Sequence, residues 1–425
     1  MESSLTHLYP LFSKLEPSDQ NFLSSLFERY HFSYQQKRLL IEIARDLWLW
    51  QHPSIRELWD EDVEGEGKVK TRKMVATLEA KVDQLRQQPT DYSDFKPLKR
   101  RERRTINTKQ FESERLLGRC PCPPEGELLR CCNLLTLDAV QQCGFGCSYC
   151  SIQSFYHNEV LFVENLKERL ETLQLPEGAW HIGTGQASDS LMWGNRFGVL
   201  EALANYARNN PSLVLEMKSK SARSDWLDEV TFPPNVLFTW SLNAPTIIEK
   251  EEHLTASLEE RLKVARKVAD RGLLVGFHLH PLVHFTTWRE EYRHVVDLIL
   301  QNFAPQEVAM ISFGTLTFTK EVIKQLRGSD LHSRILQMEL SETFGKYSYP
   351  LSLKEELFSY LYALFPPHWK EKGGPFFYLC MEDPQLWEPV FGYAYPDNTT
   401  FEAAMKRGYL AKIDKAIDNS RPLWQ

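Results

Sequence analysis

Three thiols stand within eight residues in CGFGCSYC, residues 143 to 150, in a chain of 425 residues that has eight cysteines. Four thiolates close a tetrahedral zinc site, whereas a [4Fe-4S] cluster held by three thiolates keeps one iron open to another ligand. The spacing Cys143-x3-Cys147-x2-Cys150 directly follows a run of β type, CNLLTLDAV, so the three cysteines are expected on a loop at a strand end. Glycine at 144 and 146 is expected to let the backbone wrap closely there. The competing readings are a zinc site that borrows a fourth ligand and three buried thiols with no metal.

Four further cysteines, Cys120, Cys122, Cys131 and Cys132, form C-x-C-x8-C-C. They suit a zinc or auxiliary-cluster site, structural packing beside the barrel entrance, or a hydrogen-donating thiol; adjacent cysteines do not chelate one metal easily. Cys380, in FFYLCMED, reads as a buried strand cysteine. His278 and His280 lie two apart in GFHLHP and so share one face of a strand. His280, nearest the strand end, reads either as a ligand or acid-base group or as a hydrogen-bonded core histidine. Trp180, Trp193 and Trp240 are candidates to stack on a base or on adenine, with core packing as the alternative.

These residues need a frame, and the chain supplies repeated βα units. The β-type runs are CNLLTLDAV, AWHIGTG, SLVLEMKSKS, NVLFTWSLNAP, LLVGFHLHP and EVAMISFGT. Helical patterns lie between them: VENLKERLETLQ, RFGVLEALANYARNN, ASLEERLKVARKVADRG and WREEYRHVVDLILQNF. Six such units predict an α/β fold, a partial (β/α)6 TIM-like barrel, with helices outside a parallel sheet. Each run starts apolar and ends small or polar, in GTGQASDS, KSKS, SLN, HLHP and SFGT. Those ends line the face on which barrel active sites are built.

The expected organisation is an N-terminal helical region over 1–94, a basic linker and Cys-rich segment over 95–133, the barrel over 134–334, and a mixed α+β extension over 335–425. Composition agrees with a globular protein, at 42% hydrophobic and 25% charged. The start, MESSLTHLYPLFSKLEPSD, lacks a basic segment leading into an apolar one, and no apolar run approaches the roughly 18 residues of a spanning helix. Sparse cysteines, seven of them between 120 and 150, fit metal binding in a reducing compartment, so a cytoplasmic location is expected. A net charge of -7 gives no general attraction to nucleic acid. FKPLKRRERR, residues 95 to 104, is the local exception, with six basic residues against Glu102. It is either a solvated linker or a phosphate contact whose affinity would fall with salt at a log-log slope of about -4.

The three-cysteine loop after the first strand of a βα series resembles the signature of the radical S-adenosylmethionine (SAM) superfamily. From about residue 134 to 350 the chain further resembles the spore photoproduct lyase family, radical SAM enzymes that reverse a methylene-linked thymine dimer in DNA. The matching stretches are CGFGCSYCSIQ, TGQASDS, KSKS, FTWSLNA, ASLEERLKVARKVADRGLLVGFHLHPL and TWREEYRHV. The resemblance implies a [4Fe-4S] cluster on Cys143, Cys147 and Cys150, and reductive cleavage of SAM to a 5′-deoxyadenosyl radical that takes hydrogen from substrate. It implies SAM contacts from Ser188, Asp189, Lys220, Ser241 and Asn243, and a low-potential electron donor such as flavodoxin or ferredoxin. Hydroxyls and an amide suit ribose and methionine polar groups, and an ammonium suits a carboxylate; for Ser241 and Asn243 strand-end capping is the alternative.

The chain also departs from that family. Gln186 stands where the family's lyases carry a hydrogen-returning cysteine, and Ser151 stands where they carry a tyrosine. Their basic-aromatic pair at the lesion has no clear counterpart, although Lys346 and Tyr347 lie nearby. The leading expectation is lyase-type repair of a pyrimidine lesion in DNA. The alternatives are radical SAM modification of a non-DNA substrate, and a non-catalytic, metal-stabilised nucleic-acid-binding protein.

Overall fold

The computed structural model describes residues 2–97, 105–109, 116–120, 129–150, 159–343 and 345–420. The FKPLKRRERR linker beyond Pro97, Cys122 and Ser151 lie outside the described residues.

Eight strands form one sheet: β1 (Leu117–Arg119), β2 (Leu135–Leu137), β3 (His181–Thr184), β4 (Val214–Ser219), β5 (Val236–Leu242), β6 (Leu274–Leu282), β7 (Val308–Thr315) and β8 (Phe376–Leu379). Each pairs with its neighbour in chain order. β2 to β8 are parallel, and β1 runs antiparallel to β2 at the edge. The six expected runs are β2 to β7. β5 and β7 are buried at every position, which a parallel strand covered on both faces requires.

The helices cover the outer face through apolar stripes. Val199–Asn209 buries Leu200, Leu203, Ala204 and Ala207. Leu258–Ala269 opens with a capping box, in which Ser257 Oγ accepts from the Glu260 N–H at 3.2 Å and Glu260 Oε2 accepts from the Ser257 N–H at 2.8 Å. Trp288–Asn302 packs beside Leu258–Ala269 with Tyr292, Val295, Val296 and Ile299 buried. The helix expected over VENLKERLETLQ is short, Leu166–Glu171.

The expected C-terminal extension supplies a barrel strand. β8 pairs with β7 in parallel register, Met310 with Phe376 through Phe313 with Leu379, and the helix Leu351–Leu364 is its crossover. Glu382, just past β8, is buried and accepts from the Thr315 N–H (3.0 Å), Thr315 Oγ1 (2.7 Å) and Lys354 Nζ (2.7 Å). One carboxylate therefore joins the end of β7, the crossover helix and β8. The Arg130 N–H donates to the Glu382 carbonyl at 3.1 Å, which brings the β1–β2 edge against the β8 edge.

Residues 2–87 are mainly helical, with Pro17–Arg29, Tyr34–Trp50 and Gly67–Gln87 the long elements. They gather around their own core, including Leu23, Leu26, Leu40, Leu47, Trp50 and Leu78. Polar groups fasten this layer to the barrel side. Arg327 donates from Nε and Nη2 to the Asp46 carboxylate, both at 2.8 Å, and from Nη1 to Glu42 at 2.8 Å. Asp46 is almost wholly enclosed, and Arg86 is its second partner, at 3.3 Å. Arg327→Met leaves the Asp46 carboxylate with that single long contact, and stripping one partner from a buried pair costs about 3 kcal/mol. The expected result is a lower urea midpoint; an unchanged midpoint would remove this docking role.

Among the described residues no helix is long and apolar enough to cross a membrane.

Candidate active site

The cysteine loop sits where the sequence places it, beyond β2 at the polar end of the sheet. Cys143 and Cys147 are buried and Cys150 is partly buried; none of the three is in a disulfide, and they pack in one cluster with Phe145, Tyr149 and Met192. The close wrap at Gly144 comes from lack of space rather than from an unusual dihedral. A Cβ there would lie 2.3 Å from Met192 Cε and 3.1 Å from the Trp193 ring. The Phe145 N–H reaches Cys143 Sγ at 3.5 Å, and the Gly144 N–H reaches Met192 Sδ at 3.4 Å.

Two groups grip this loop, one from each side. On the first side, TGQASDS carries the chain from β3 past the cysteines. Gly185 takes φ +93°, and a Cβ on it would lie 2.9 Å from the Lys218 carbonyl, so glycine is required. Asp189 Oδ1 accepts from the Leu191 N–H (3.0 Å), the Met192 N–H (2.9 Å) and Ser219 Oγ (2.8 Å), and Oδ2 accepts from the Lys220 N–H at 2.6 Å. Both oxygens expected to meet a cofactor are thus engaged by protein donors, and they set the turn that lays Met192 on Cys143. Ser188 Oγ accepts from Trp193 Nε1 at 3.0 Å, with the Trp193 ring against Gly144. Of the three tryptophans considered for stacking, Trp193 alone is at the loop. Trp180 donates to Glu402 and Trp240 to the Ser221 carbonyl, both in the core.

On the other side lie two adjacent buried carboxylates that the sequence reading missed, Glu251 and Glu252. The strand Glu252–His253 pairs antiparallel with Gly146–Cys147. The Glu251 carbonyl accepts from the Ser148 N–H at 2.8 Å, and its carboxylate accepts from Ser148 Oγ, Ser333 Oγ (2.7 Å), the Arg334 N–H (2.8 Å) and Tyr92 OH (2.9 Å). Arg334 in turn donates to the Trp50 carbonyl at 2.7 Å, so the N-terminal helices reach the cysteine loop through this carboxylate.

Glu252 is the electrostatic hub. It accepts from Arg261 Nη2 (2.6 Å), Lys220 Nζ (2.8 Å), Asn243 Nδ2 (3.3 Å) and Tyr149 OH, the last within the cysteine loop. Burial alone would raise this carboxyl; Arg261 and Lys220 outweigh it and bring it down to about 2. Lys220 and Asn243, expected to meet SAM, therefore converge on one carboxylate. Asn243 also donates to the Pro281 carbonyl at 3.0 Å and accepts from Tyr292 OH at 2.8 Å. Ser241 is buried, and its carbonyl accepts from Arg261 Nη1 at 2.8 Å. One signal for this hub was legible. Arg261 sits on the apolar stripe of its helix with Leu258, Leu262, Ala265 and Val268, and a buried arginine demands an acidic partner.

Deeper in the barrel a polar chain crosses four strands. Glu216 meets His181 Nε2 at 2.9 Å and His278 Nε2 at 2.7 Å; His278 Nδ1 meets Ser312 Oγ at 2.7 Å, which meets His280 Nε2 at 3.0 Å. Burial first, then the charge of Lys218, holds both His278 and His280 below the usual imidazole range, His278 at about 4. The His280 ring is thus a neutral member of a hydrogen-bonded chain. Beside it lies a small cavity lined by Gln186, Lys218, Cys120, Cys132 and Cys380 among others. Cys380 is therefore a lumen residue just past β8 and not the enclosed strand cysteine expected. Cys131 is disulfide-bonded, which withdraws it from a four-thiolate metal set.

The donor set at the loop fits an iron-sulfur cluster. Burial pushes the Cys143 thiol up to about 12 and holds the Cys147 thiol well above its ordinary range, and a metal bound there would favour the thiolate that ligation needs. Among the described residues no three His, Cys, Asp or Glu side chains close around a single ion.

Residues 182–350 match the family model described as spore photoproduct lyase. That match begins beyond the cysteine loop, so the ligand assignment rests on the loop itself. Among curated proteins, the spore photoproduct lyase of Bacillus subtilis is 30% identical over 143 residues, covering 30% of this chain and 42% of that protein. The spore photoproduct lyase of Clostridium acetobutylicum is 25% identical over 111 residues, covering 26% and 33%. The chain thus spans less than half the length of the curated relatives it matches. A solved spore photoproduct lyase variant with bound AdoMet and dinucleoside spore photoproduct superposes with a TM-score of 0.50 at 19% identity, over 64% of this chain and 81% of that one. A second variant of that lyase gives 0.50 at 18% identity, over 65% and 82%. At this identity the superpositions establish the shared fold, and with the family-model match, which covers less than half of the chain, they show that the barrel of this chain resembles that of spore photoproduct lyases.

Proposed function

We propose that the protein is a radical SAM enzyme that acts on a pyrimidine lesion in DNA in the manner of spore photoproduct lyases, in the cytoplasm and with a flavodoxin- or ferredoxin-type electron donor. The observation that carries the proposal is the gripped loop of Cys143, Cys147 and Cys150 at the polar end of a barrel that resembles theirs. Cys143, Cys147 and Cys150 would hold a [4Fe-4S] cluster, which would supply the low-potential electron that SAM cleavage needs. The chain's residues do the rest. Glu251, Glu252 and Asp189 hold the loop in place. Ser188, Lys220, Ser241 and Asn243 supply the hydroxyl, ammonium and amide groups around the SAM position, and Glu252 orients the Lys220 ammonium through its 2.8 Å contact. The neutral His278 and His280 rings hold the deep end of the lumen without adding charge.

The test is anaerobic reconstitution with iron and sulfide, followed by SAM, dithionite and dinucleoside spore photoproduct. The expected result is a brown protein that releases 5′-deoxyadenosine and converts the dinucleoside to thymidine residues. A colourless zinc protein that leaves SAM intact would refute it. Gln186 on the lumen wall and the net charge of -7 favour a second reading, a radical SAM reaction on a substrate other than DNA. Release of 5′-deoxyadenosine with no loss of the lesion selects that reading.

A further inference from the structure

Two large apolar side chains are both exposed and held at positive φ. Phe197 is 60% exposed at φ +55°, and Leu254 is 54% exposed at φ +65°. For a bulky residue this backbone region is a strained outlier, and such strain collects at sites that bind or switch. In the isolated chain, neither the strain nor the exposed apolar surface is offset by a contact made on the outward side.

Both positions are tied to the cysteine loop, from its two sides. The Phe197 ring meets Phe162 edge-on at 5.1 Å between centroids, Phe162 meets Trp193 at 5.9 Å, and the Trp193 ring lies against Gly144. A tight knuckle holds Phe197 outward: Gly194 and Gly198 also take positive φ, and Arg223 Nη1 donates to the Trp193 carbonyl at 3.0 Å. Leu254 directly follows Glu252–His253, the strand paired with Gly146–Cys147. Gly144 and Gly146 are two residues apart, so the two attachments fall on the loop within about 7 Å of each other. The loop itself is only partly covered at Gly144, Tyr149 and Cys150. Neither Phe197 nor Leu254 lines the cavity beside His280. Arg196 is exposed next to Phe197; Arg223 is paired with Asp225 at 2.6 Å, which leaves Arg196 as the open cation beside Phe197 among the described residues.

We propose that Phe197 and Leu254, with Arg196 at the rim, form the docking face for a small acidic one-electron carrier of the flavodoxin type, an inference that rests on the radical reading above. Electron transfer falls steeply with distance, so a protein reductant must seat over the cysteine loop, which is where both side chains stand. A flavin presents the apolar edge of its dimethylbenzene ring, which matches two apolar side chains. A net charge of -7 gives the chain no general attraction to an acidic carrier, so apolar contact and a local cation must supply it. One open cation is too little for a nucleic-acid backbone. In the transfer the carrier is oxidised by one electron and the iron-sulfur group on the loop is reduced by one.

Two readouts test this on the full chain. In the unloaded protein, titration with a purified bacterial flavodoxin is expected to show binding that weakens with salt and loses about tenfold in affinity in Phe197→Gly and in Leu254→Gly. Glycine suits positive φ, so both variants should keep a urea midpoint close to the parent's. Arg196→Glu alters neither strained position and should weaken binding in the same direction. No flavodoxin binding by the parent, or unchanged affinity in all three variants, overturns the proposal; so do variants that lose binding of a DNA duplex while flavodoxin binding is unchanged. In the reconstituted protein, 5′-deoxyadenosine release driven by reduced flavodoxin is expected to fall in the variants, whereas release driven by dithionite, which needs no docking face, stays at the parent level. Equal flavodoxin-driven release in parent and variants sinks the docking face alone. No 5′-deoxyadenosine from the parent with dithionite sinks the radical reading with it.

Discussion

Cys147→Ala is expected to abolish the iron-sulfur chromophore and, with it, all 5′-deoxyadenosine release, while the protein stays folded. Cys147 lies in the strand pair Gly146–Cys147 with Glu252–His253, and its sulfur is buried beside Phe145 and Tyr149. Alanine keeps that backbone pairing and removes one of three thiolates. A cluster left with two protein ligands has no third corner to hold it, and iron and acid-labile sulfide should fall to background after gel filtration. The apo-protein should lose little stability, since removing one buried sulfur costs about 1–2 kcal/mol. Retained iron and SAM cleavage in this variant would remove Cys147 from the ligand set. The same experiment on Cys131→Ala separates the two cysteine groups, because Cys131 is disulfide-bonded and should leave the chromophore intact.

Glu252→Gln is the second large effect, and here stability moves first. The substitution keeps the shape but leaves the fully enclosed Arg261 guanidinium and the Lys220 ammonium without their counter-charge. Removing one partner of a buried pair costs about 3–5 kcal/mol. Proton linkage supplies an independent check. The folded carboxyl sits at about 2 against 4.5 unperturbed, so its stabilisation is complete above pH 4.5 and is lost as pH falls towards 2. At about 1.4 kcal/mol per pH unit, that window carries about 3 kcal/mol. Urea midpoints measured from pH 6 down to pH 3 should therefore fall more steeply in the parent protein than in Glu252→Gln. Parallel profiles would show that Glu252 is not the ionised hub. Because Tyr149 OH and the Gly146–Cys147 pairing both depend on Glu252, the variant should also retain less iron at neutral pH.

The Cys143-x3-Cys147-x2-Cys150 spacing and the polar strand ends were readable without coordinates, because both are local patterns of residue type. So were six of the barrel strands, since alternating β and helical periodicity is a property of short windows. The seventh parallel strand, Phe376–Leu379, was recognised as strand-like but not as part of the barrel. A small antiparallel sheet over Thr317–Phe318, Ser341–Thr343 and Lys346–Ser348 interrupts the alternation before the crossover helix resumes it. Glu251 and Glu252 lie within EKEEH, and nothing in their own window announces burial. Their partners Tyr92, Lys220, Arg261 and Arg334 come from four separate segments.

The sequence alone determined the three-cysteine loop, the sheet it follows and the polar strand ends that share its face. Only the tertiary structure decided which charges hold the loop, that Lys220 and Asn243 meet Glu252, that Asp189 spends both oxygens on its own backbone, and that Cys120, Cys132 and Cys380 share the lumen with Gln186. The reason is physical: periodicity and spacing are set by backbone geometry over a few residues, whereas a buried charge or thiol takes its role from neighbours that closure of the sheet brings in from far along the chain.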